Sequence, residues 1–219
     1  PFDQECDGTI RGEGVGIFVL KGWDDAGHDG AGIYAEIRGL GTSSNGKGNA
    51  IYAPSSSGQA KALRRAYQRA GTTPDTVQLV EAHGTGTVVG DAAESEALTA
   101  VYRESGAEGT WCALGSVKSQ IGHTKAAAGA ASLIKAAMAF HHKVLPPTLK
   151  VEKPLAQLAP GASPFYVNTD KRPWLAPDGH PRRAAVSSFG FGGSNFHCVL
   201  QEHISEGSAN EETDWDGDV

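Results

Sequence analysis

The order of apolar and polar positions along the chain predicts alternating strands and helices. Strand patterns, short runs rich in β-branched and aromatic residues, occur at residues 14–21, 33–38, 77–82, 112–115, 165–168, 183–188 and 196–201. Apolar residues at helical spacing follow Ser56, Asp91 and Thr124. This alternation predicts a layered α/β fold whose loops collect at the carboxyl ends of the strands.

The first two predicted strands, residues 14–21 and 33–38, are expected to pair with each other. Residues 1–11 resemble a loop, so a strand buried this early suggests further sequence upstream. Residues 42–49 are rich in Ser, Gly and Asn and predict a surface loop. Ser56 and Gln59 form a capping-box pattern for the next helix, which Gly71 ends.

Residues 114–142 combine a polar turn with an apolar helix. The turn contains Lys118 and His123, and Thr124 is a candidate N-cap for a helix built of Ala, Gly and other apolar residues. Lys125, at its start, and Lys135, in its middle, are the charges of this helix before its basic end at residues 141–143. We expect the helix to be buried, which would fix the geometry of the turn before it.

Composition narrows the class of protein. Of 219 residues, 39% are hydrophobic, which is enough for a packed core, and the net charge of −6 is accounted for by the six acids of residues 204–219. That segment predicts a solvated tail or linker. Since no basic stripe occurs, a nucleic-acid partner has no support, and no segment resembles a signal peptide or a membrane span.

The three cysteines predict neither disulfides nor a zinc site. Cys6, Cys112 and Cys198 are widely spaced and include no C-x-x-C pair, as expected for a reduced, cytoplasmic protein. The adjacent His141 and His142 cannot share one helix face, so no metal site is expected.

His83 and His123 each follow a predicted strand of the same sheet and can therefore converge. Two imidazoles offer two N–H donors to an oxygen that becomes an enolate or alkoxide, which lowers the barrier to forming a carbon–carbon bond. Each histidine can also be a structural hydrogen-bonding residue. Neighbouring Gly84, Gly86 and Gly122 remove bulk beside both rings and favour the catalytic interpretation.

Other polar residues near these histidines have two interpretations each. Lys118, if enclosed, needs a carboxylate, and Glu94 and Asp91 are the candidates, although Asp-x-x-Glu at a helix start is also a capping box. The hydroxyls of Thr85 and Thr87 can belong to ordinary turn residues or can bind an amide-bearing substrate arm.

Three motifs in this order resemble the C-terminal half of a β-ketoacyl synthase, as found in type I polyketide synthases and polyunsaturated fatty acid synthases. They are Val-Glu-Ala-His-Gly-Thr-Gly-Thr at 80–87, Gly-Ser-Val-Lys-Ser-Gln-Ile-Gly-His-Thr at 115–124, and Ser-Ser-Phe-Gly-Phe-Gly-Gly-Ser-Asn at 187–195. The resemblance implies a thiolase-like fold with α/β/α/β/α layers. Residues 1–30 would end the N-terminal half with its last strand, residues 31–203 would form the C-terminal half, and residues 204–219 would be a disordered tail or linker.

The resemblance also implies a reaction. His83 and His123 would promote decarboxylation of a malonyl group and hold the enolate for condensation, and Lys118 would pair with Glu94, with Asp91 nearby, to support His123. Thr85 and Thr87 would contact the phosphopantetheine arm of an acyl carrier protein, and no other cofactor is expected. Phe191 would act as a gate and supply a backbone N–H to the oxyanion hole.

The nucleophilic cysteine of this family has no counterpart in the sequence. It lies in a Thr-Ala-Cys-Ser-Ser-type motif of the N-terminal half, so this chain would work with a missing half, in a homodimer or heterodimer of ketosynthase domains. The chain alone would be inactive. Two alternatives remain: a non-catalytic homologue similar to a chain-length factor, and one chain of a split ketosynthase.

Overall fold

A mixed β-sheet with helices on both faces organises the chain. The computed structural model describes residues 1–28, 32–47, 50–177 and 179–204. Its elements in chain order are α1 (Trp23–His28), β1 (Glu36–Ser44), α2 (Ser56–Ala70), β2 (Leu79–Glu81), α3 (Val88–Arg103), β3 (Cys112–Gly115), α4 (Lys118–Ile121), α5 (Ala128–His142), β4 (Val144–Leu145), β5 (Phe165–Val167), β6 (Arg172–Pro173), β7 (Arg183–Gly190) and β8 (Ser194–Gln201).

Six of the described strands form the main sheet in the order β1-β8-β7-β2-β3-β5. The strands β7, β2, β3 and β5 are parallel, whereas β8 pairs antiparallel with both β7 and β1. Glu81, the last residue of β2, lies opposite Gly115, the last residue of β3. Because both strands end at the same edge of the sheet, the loops that follow them are neighbours.

The two faces of the sheet bury different helices. Successive side chains of a strand point to opposite faces, so Val80 packs with α2 and α3 while its neighbour Leu79 packs with α5. The same division separates Leu114 from Ala113 on β3. The predicted layered α/β arrangement is therefore confirmed.

The strand predicted at residues 14–21 is wrong. This segment forms no strand within the described part of the chain, and the side chains of Val15 and Val19 are 90% and 84% exposed. Gly16 lies against Ala130 and Ile134 of α5. An apolar run becomes a strand only where a sheet edge receives its N–H and C=O groups, and the described residues offer none here.

The predicted pairing of residues 33–38 with that segment is also wrong. The strand begins at Glu36, continues to Ser44 through part of the predicted loop, and pairs with β8. The extension follows from its pairing with β8, which continues to Ser44. At Gly41 a Cβ atom would overlap the backbone of Ala62 in α2. Glycine lets the helix lie directly on this strand, and that close approach has no periodic pattern in the sequence.

The helix starts differ from their predicted caps. Ser55, rather than Ser56, caps α2 by accepting a hydrogen bond from the Gly58 N–H. Thr124 precedes a turn of 3₁₀ helix and caps nothing, and α5 begins at Ala128. Burial of α5 is confirmed for one face only, because Ile134 and Met138 on the other face are exposed.

The acidic tail predicted at residues 204–219 lies, apart from Ile204, outside the described residues. In the part of the chain that the structure describes, no helix is both long and apolar enough to cross a membrane.

Candidate active site

The loops after β2 and β3 bring His83 and His123 into contact. Their ring centroids are 5.5 Å apart and the ring planes are perpendicular. The N-terminal segment holds the second ring, because the N–H of His123 donates to the carbonyl of Ile10 at 2.8 Å and the His123 carbonyl accepts from the Gly12 N–H at 3.2 Å. Residues 10–12, predicted as a plain loop, thus fix one of the two histidines.

Glycine is required beside both rings. Gly84 and Gly122 have φ angles of +44° and +73°, in a region that residues with a Cβ atom rarely adopt. A Cβ atom at Gly84 would lie 2.7 Å from the Cβ of Ser116, and one at Gly122 would lie 2.7 Å from the carbonyl oxygen of Arg11. The two histidine loops are therefore packed closely against their neighbours.

Both imidazoles are neutral at neutral pH. Burial, with help from the charge of Lys118, lowers the pKa of His83 to about 3 and that of His123 to about 4. The Nδ1 atom of His123 accepts a hydrogen bond from the Lys125 N–H at 3.0 Å, so the proton of its neutral ring is on Nε2. His123 can therefore donate through Nε2–H without carrying a charge.

Lys118 is the first residue of α4, and its side chain is buried. Burial lowers the pKa of this ammonium group, and the negative charges of Glu81 and Glu94 oppose that shift. The expected direct ion pair between Lys118 and Glu94 is not formed; both oxygens of that carboxylate accept backbone N–H groups. Instead, the combined negative charges of several nearby carboxylates stabilise the ammonium group of Lys118.

Glu94 binds the backbone of the first histidine loop. Its two carboxylate oxygens accept the N–H groups of His83 and Gly84, each at 2.8 Å. Burial raises the pKa of Glu94, while these two hydrogen bonds favour its ionised form. Glu94 therefore holds the backbone at the start of the first histidine loop.

Asp91 also binds backbone, and the predicted capping box is wrong. Its carboxylate accepts the N–H groups of Phe2 at 2.7 Å and of Gly86 at 3.1 Å. Helix α3 begins three residues earlier than expected and is capped by Thr87, whose hydroxyl accepts from the Gly90 N–H at 3.2 Å. Asp91 and Glu94 lie inside α3 because Thr87 already caps the helix, and the Asp91 carboxylate binds backbone N–H groups outside the helix instead.

Thr85 and Thr87 lie side by side, with their hydroxyl oxygens 3.0 Å apart. Thr85 is further held by the Thr9 hydroxyl, which donates to its carbonyl at 2.8 Å. Thr85 and Lys118 both line a cavity of about 190 Å³ between the N-terminal segment and the histidine loops. Residues of both histidine loops and of the N-terminal segment therefore border one small cavity.

Phe191 lies at the tip of the β7–β8 hairpin, and its side chain is 85% exposed. The tip is tied to the loop between β1 and α2 by a 2.6 Å hydrogen bond from the Gly192 N–H to the Ile51 carbonyl. The aromatic ring that contacts His83 is Phe189, at 5.8 Å between centroids. Sequence reasoning missed Phe189, although it belongs to the same glycine-rich motif.

Glu81 and Lys135 form a buried ion pair that sequence reasoning also missed. The Glu81 Oε2 atom lies 2.8 Å from Lys135 Nζ, and its Oε1 atom accepts the Val117 N–H at 2.6 Å and the Ser132 hydroxyl at 3.3 Å. Two signals were present in the sequence: an acid at the end of an apolar strand, and a lysine in the middle of an apolar helix. Buried charges occur in pairs.

None of the three cysteines has the environment of a nucleophile. Burial raises the pKa of Cys112 well above its usual value and that of Cys198 to about 11, and burial together with the charge of Asp91 raises that of Cys6. A raised thiol pKa disfavours the reactive thiolate. Among the described residues, no three His, Cys, Asp or Glu side chains are grouped so that they could hold a metal ion.

Comparisons with known proteins define the class that this fold and site belong to. Residues 34–152 match the family model described as the beta-ketoacyl synthase C-terminal domain. The chain is 51% identical over 207 residues to a polyunsaturated fatty acid synthase polypeptide of a Thraustochytrium species, a match that covers 92% of this chain and 7% of the relative. It is 46% identical over 205 residues to polyketide synthase PksL of Bacillus subtilis, which covers 94% of this chain and 4% of that protein.

A solved structure gives the same result for the fold. The ketosynthase from module 6 of the bacillaene synthase of Bacillus subtilis matches with a TM-score of 0.81 and 46% identity, covering 84% of this chain and 33% of that one. The chain therefore belongs to the β-ketoacyl synthase family and contains its C-terminal domain, within a thiolase-like fold. The predicted resemblance is confirmed, and the chain spans less than a tenth of the length of these two curated relatives.

Proposed function

We propose that this chain supplies the His83, His123 and Lys118 part of a ketosynthase that performs decarboxylative Claisen condensation. The observation that carries the proposal is the contact of two neutral imidazoles at the ends of adjacent parallel strands. A neutral imidazole keeps one N–H, so each ring can donate one hydrogen bond to a developing negative oxygen. The family membership supports a condensing acyltransferase.

The substrates of the proposed reaction are two thioesters. One is a malonyl group on the phosphopantetheine arm of an acyl carrier protein, and the other is an acyl group on a cysteine outside this chain. The bond between the malonyl carboxylate and the α-carbon breaks and releases CO₂, and its electron pair forms the enolate of the carrier thioester. The enolate carbon then attacks the acyl thioester, and the cysteine thiolate leaves.

The histidines stabilise the negative oxygen of that enolate. His123 donates from Nε2–H, because its Nδ1 atom already accepts the Lys125 N–H. His83 is held at the same place by Glu94 through its backbone N–H. The buried ammonium of Lys118 adds a positive charge near both rings, which stabilises the anion and keeps the imidazoles unprotonated.

The remaining predicted residues act on the substrate arm and its access. The hydroxyls of Thr85 and Thr87 bind the amides of the phosphopantetheine arm, and Asp91 holds the loop between them through Gly86. Phe191, at the exposed hairpin tip, acts as the gate and contributes its N–H to the oxyanion hole of the acylated enzyme. The protein works as a dimer of ketosynthase domains with a carrier protein as partner.

Replacing either histidine tests this function. In the full-length synthase, His83→Ala and His123→Ala should each reduce CO₂ release from malonyl-carrier protein by about a hundredfold or more, because each removes one donor to the enolate. CO₂ release is measured separately from the loading of a labelled acyl group onto the cysteine. Loading should persist and shows that each variant is folded.

The exposed His142, at the far end of α5, provides the matched control. His142→Ala should leave CO₂ release unchanged. Wild-type CO₂ release from both His83→Ala and His123→Ala would reject the proposal. A wild-type protein that binds acyl chains but releases no CO₂ would instead support the homologue similar to a chain-length factor.

A further inference from the structure

The Glu81 carboxylate joins three elements directly beneath the proposed site. It extends from the end of β2, accepts the backbone N–H of Val117 at the start of α4, and binds Ser132 and Lys135 on one face of α5. Glu81 is 1% exposed, so these contacts replace water completely. A buried carboxylate costs free energy unless its oxygens have partners. Here Oε1 accepts two hydrogen bonds, and Oε2 has the positive charge of Lys135 beside it without a hydrogen bond.

The contact with Val117 bears directly on the turn that carries the proposed catalytic groups. Val117 immediately precedes Lys118, and the same turn ends at His123. At its far end the turn is held by the hydrogen bond from the His123 N–H to the Ile10 carbonyl. At its near end the Val117 N–H bond is the shortest described contact, at 2.6 Å, supported by the longer bond from the Lys118 N–H to the Ser116 hydroxyl at 3.3 Å.

Lys135 gives the carboxylate its charge partner. Its Nζ atom lies 2.8 Å from Glu81 Oε2, and its side chain is only 10% exposed. The rest of α5 before His141 is uncharged. Removing either member of such a pair leaves an uncompensated buried charge, so the two residues form one unit.

We propose that Glu81 and Lys135 are positioning residues that hold the turn of residues 117–123 and thereby set where Lys118 and His123 lie relative to His83. The inference rests on the proposed condensation, because it assigns these residues an effect on that reaction. Neither side chain touches the substrate. Glu81 acts on the turn through the backbone N–H of Val117 and through its charge near Lys118, and Lys135 acts through Glu81.

The test compares the two half-reactions in the full-length synthase. Glu81→Gln and Lys135→Met should each slow CO₂ release from malonyl-carrier protein by about tenfold to a hundredfold, because small displacements of catalytic groups cost this much. Acyl loading of the cysteine should change by less than about threefold, since the nucleophile lies outside this chain. A loss caused only by unfolding would reduce both half-reactions equally.

The double variant Glu81→Gln with Lys135→Met gives an independent measure of the pair. The double variant contains no unpaired buried charge. Its rate of CO₂ release should therefore be higher than the rate expected if the fold-losses of the two single variants were multiplied. Strict additivity would show that the residues do not act together and would contradict the inference. This comparison remains informative even if one single variant folds poorly.

Glu202 provides a matched control at the opposite end of β7. It too accepts a backbone N–H, from Arg182 at 2.7 Å, and pairs with the same residue's guanidinium at 2.6 Å. Glu202→Gln should leave the ratio of CO₂ release to acyl loading unchanged. Equal losses in both half-reactions of the Glu81 variants, or no loss, would overturn the inference. Absence of CO₂ release from the wild type would reject the proposed function itself, and this inference with it.

Discussion

Gly122 determines how closely the turn with His123 approaches the N-terminal segment. Its φ of +73° with ψ near 180° is a conformation that belongs almost only to glycine, and Arg11 leaves no space for a side chain. We expect Gly122→Ala to displace His123 and to reduce CO₂ release by about tenfold or more. The ratio of CO₂ release to acyl loading in the full-length synthase measures this effect.

Gly71, at the end of α2, is a control position for Gly122. A substitution there introduces backbone strain without a steric clash. Its φ is +63°, yet a Cβ atom there would meet nothing within 4 Å. Gly71→Ala should therefore cost about 1 kcal/mol of stability and leave the same ratio unchanged. A Gly122→Ala enzyme with a normal ratio would show that the turn tolerates a shift.

At the residue scale, the sequence predicted which side chains converge but not which hydrogen bonds and ion pairs they form. His83, His123, Lys118 and Glu94 could be placed together because they follow or face the ends of predicted neighbouring strands. The partner of each carboxylate could not be predicted, since Glu94 binds backbone N–H groups that no residue type reveals. Phe189 was missed because it and Phe191 lie in the same motif, each next to glycine, so the sequence does not distinguish them.

His197 connects β8 to β7 and α2 in the core. Its ring accepts or donates one hydrogen bond with the Ser187 hydroxyl at 3.0 Å and lies 5.6 Å from the ring of Tyr67 on α2. The Nε2 atom is buried and has no hydrogen-bond partner in the described part of the molecule. Burial lowers the pKa of His197 to about 3. A protonated ring is thus strongly disfavoured between these elements.

The lowered pKa of His197 predicts acid sensitivity with a definite sign. The unfolded chain takes up this proton near pH 6.5 and the folded chain only near pH 3, so the contribution to stability is complete above 6.5 and is lost progressively as the pH falls. Between pH 7 and pH 5 the free energy of unfolding should decrease by about 2 kcal/mol from this group alone. His197→Gln, which cannot be protonated, should remove that part of the decrease.

Denaturant unfolding of the ketosynthase at pH 7 and pH 5 measures the difference between wild type and variant. His142→Gln is the control for replacing a histidine by glutamine at an exposed position. Identical pH dependence of His197→Gln and wild type would contradict the assignment.

At the element scale, periodicity predicted the strands and helices that bury a complete face. It located β2, β3, β5, β7 and β8 within a few residues, because each is an apolar run bounded by polar turns. Periodicity was misleading for residues 14–21, where the pattern of a strand exists without a described partner strand. It was also insufficient at helix starts, where Ser55 and Thr87 cap in place of the neighbours that the motifs favoured.

At the scale of the whole molecule, one group of exposed apolar side chains lies beside α5. Residues 15–20 run past α5 with most of their side chains exposed, and Ile134 and Met138 of α5 are exposed beside them. Contiguous apolar patches on a globular fold mark surfaces that other protein covers. The solved bacillaene ketosynthase is about three times as long as the part that this chain matches, so its relatives have further structure with which to cover such a patch.

This patch predicts how the 219 residues behave when they are produced alone. With Val15, Ile17 and Val19 exposed, we expect self-association and a broad, weakly cooperative thermal transition. Light scattering after size-exclusion chromatography and calorimetry measure the two properties. Ile17→Lys should reduce self-association of the isolated chain, because a charge disrupts apolar contact, but should destabilise the full-length ketosynthase, where the segment is expected to be covered. Lys61→Ala, on the exposed face of α2, should change neither. A monomeric wild-type chain with a sharp, cooperative melt would show that these residues fold as a complete unit.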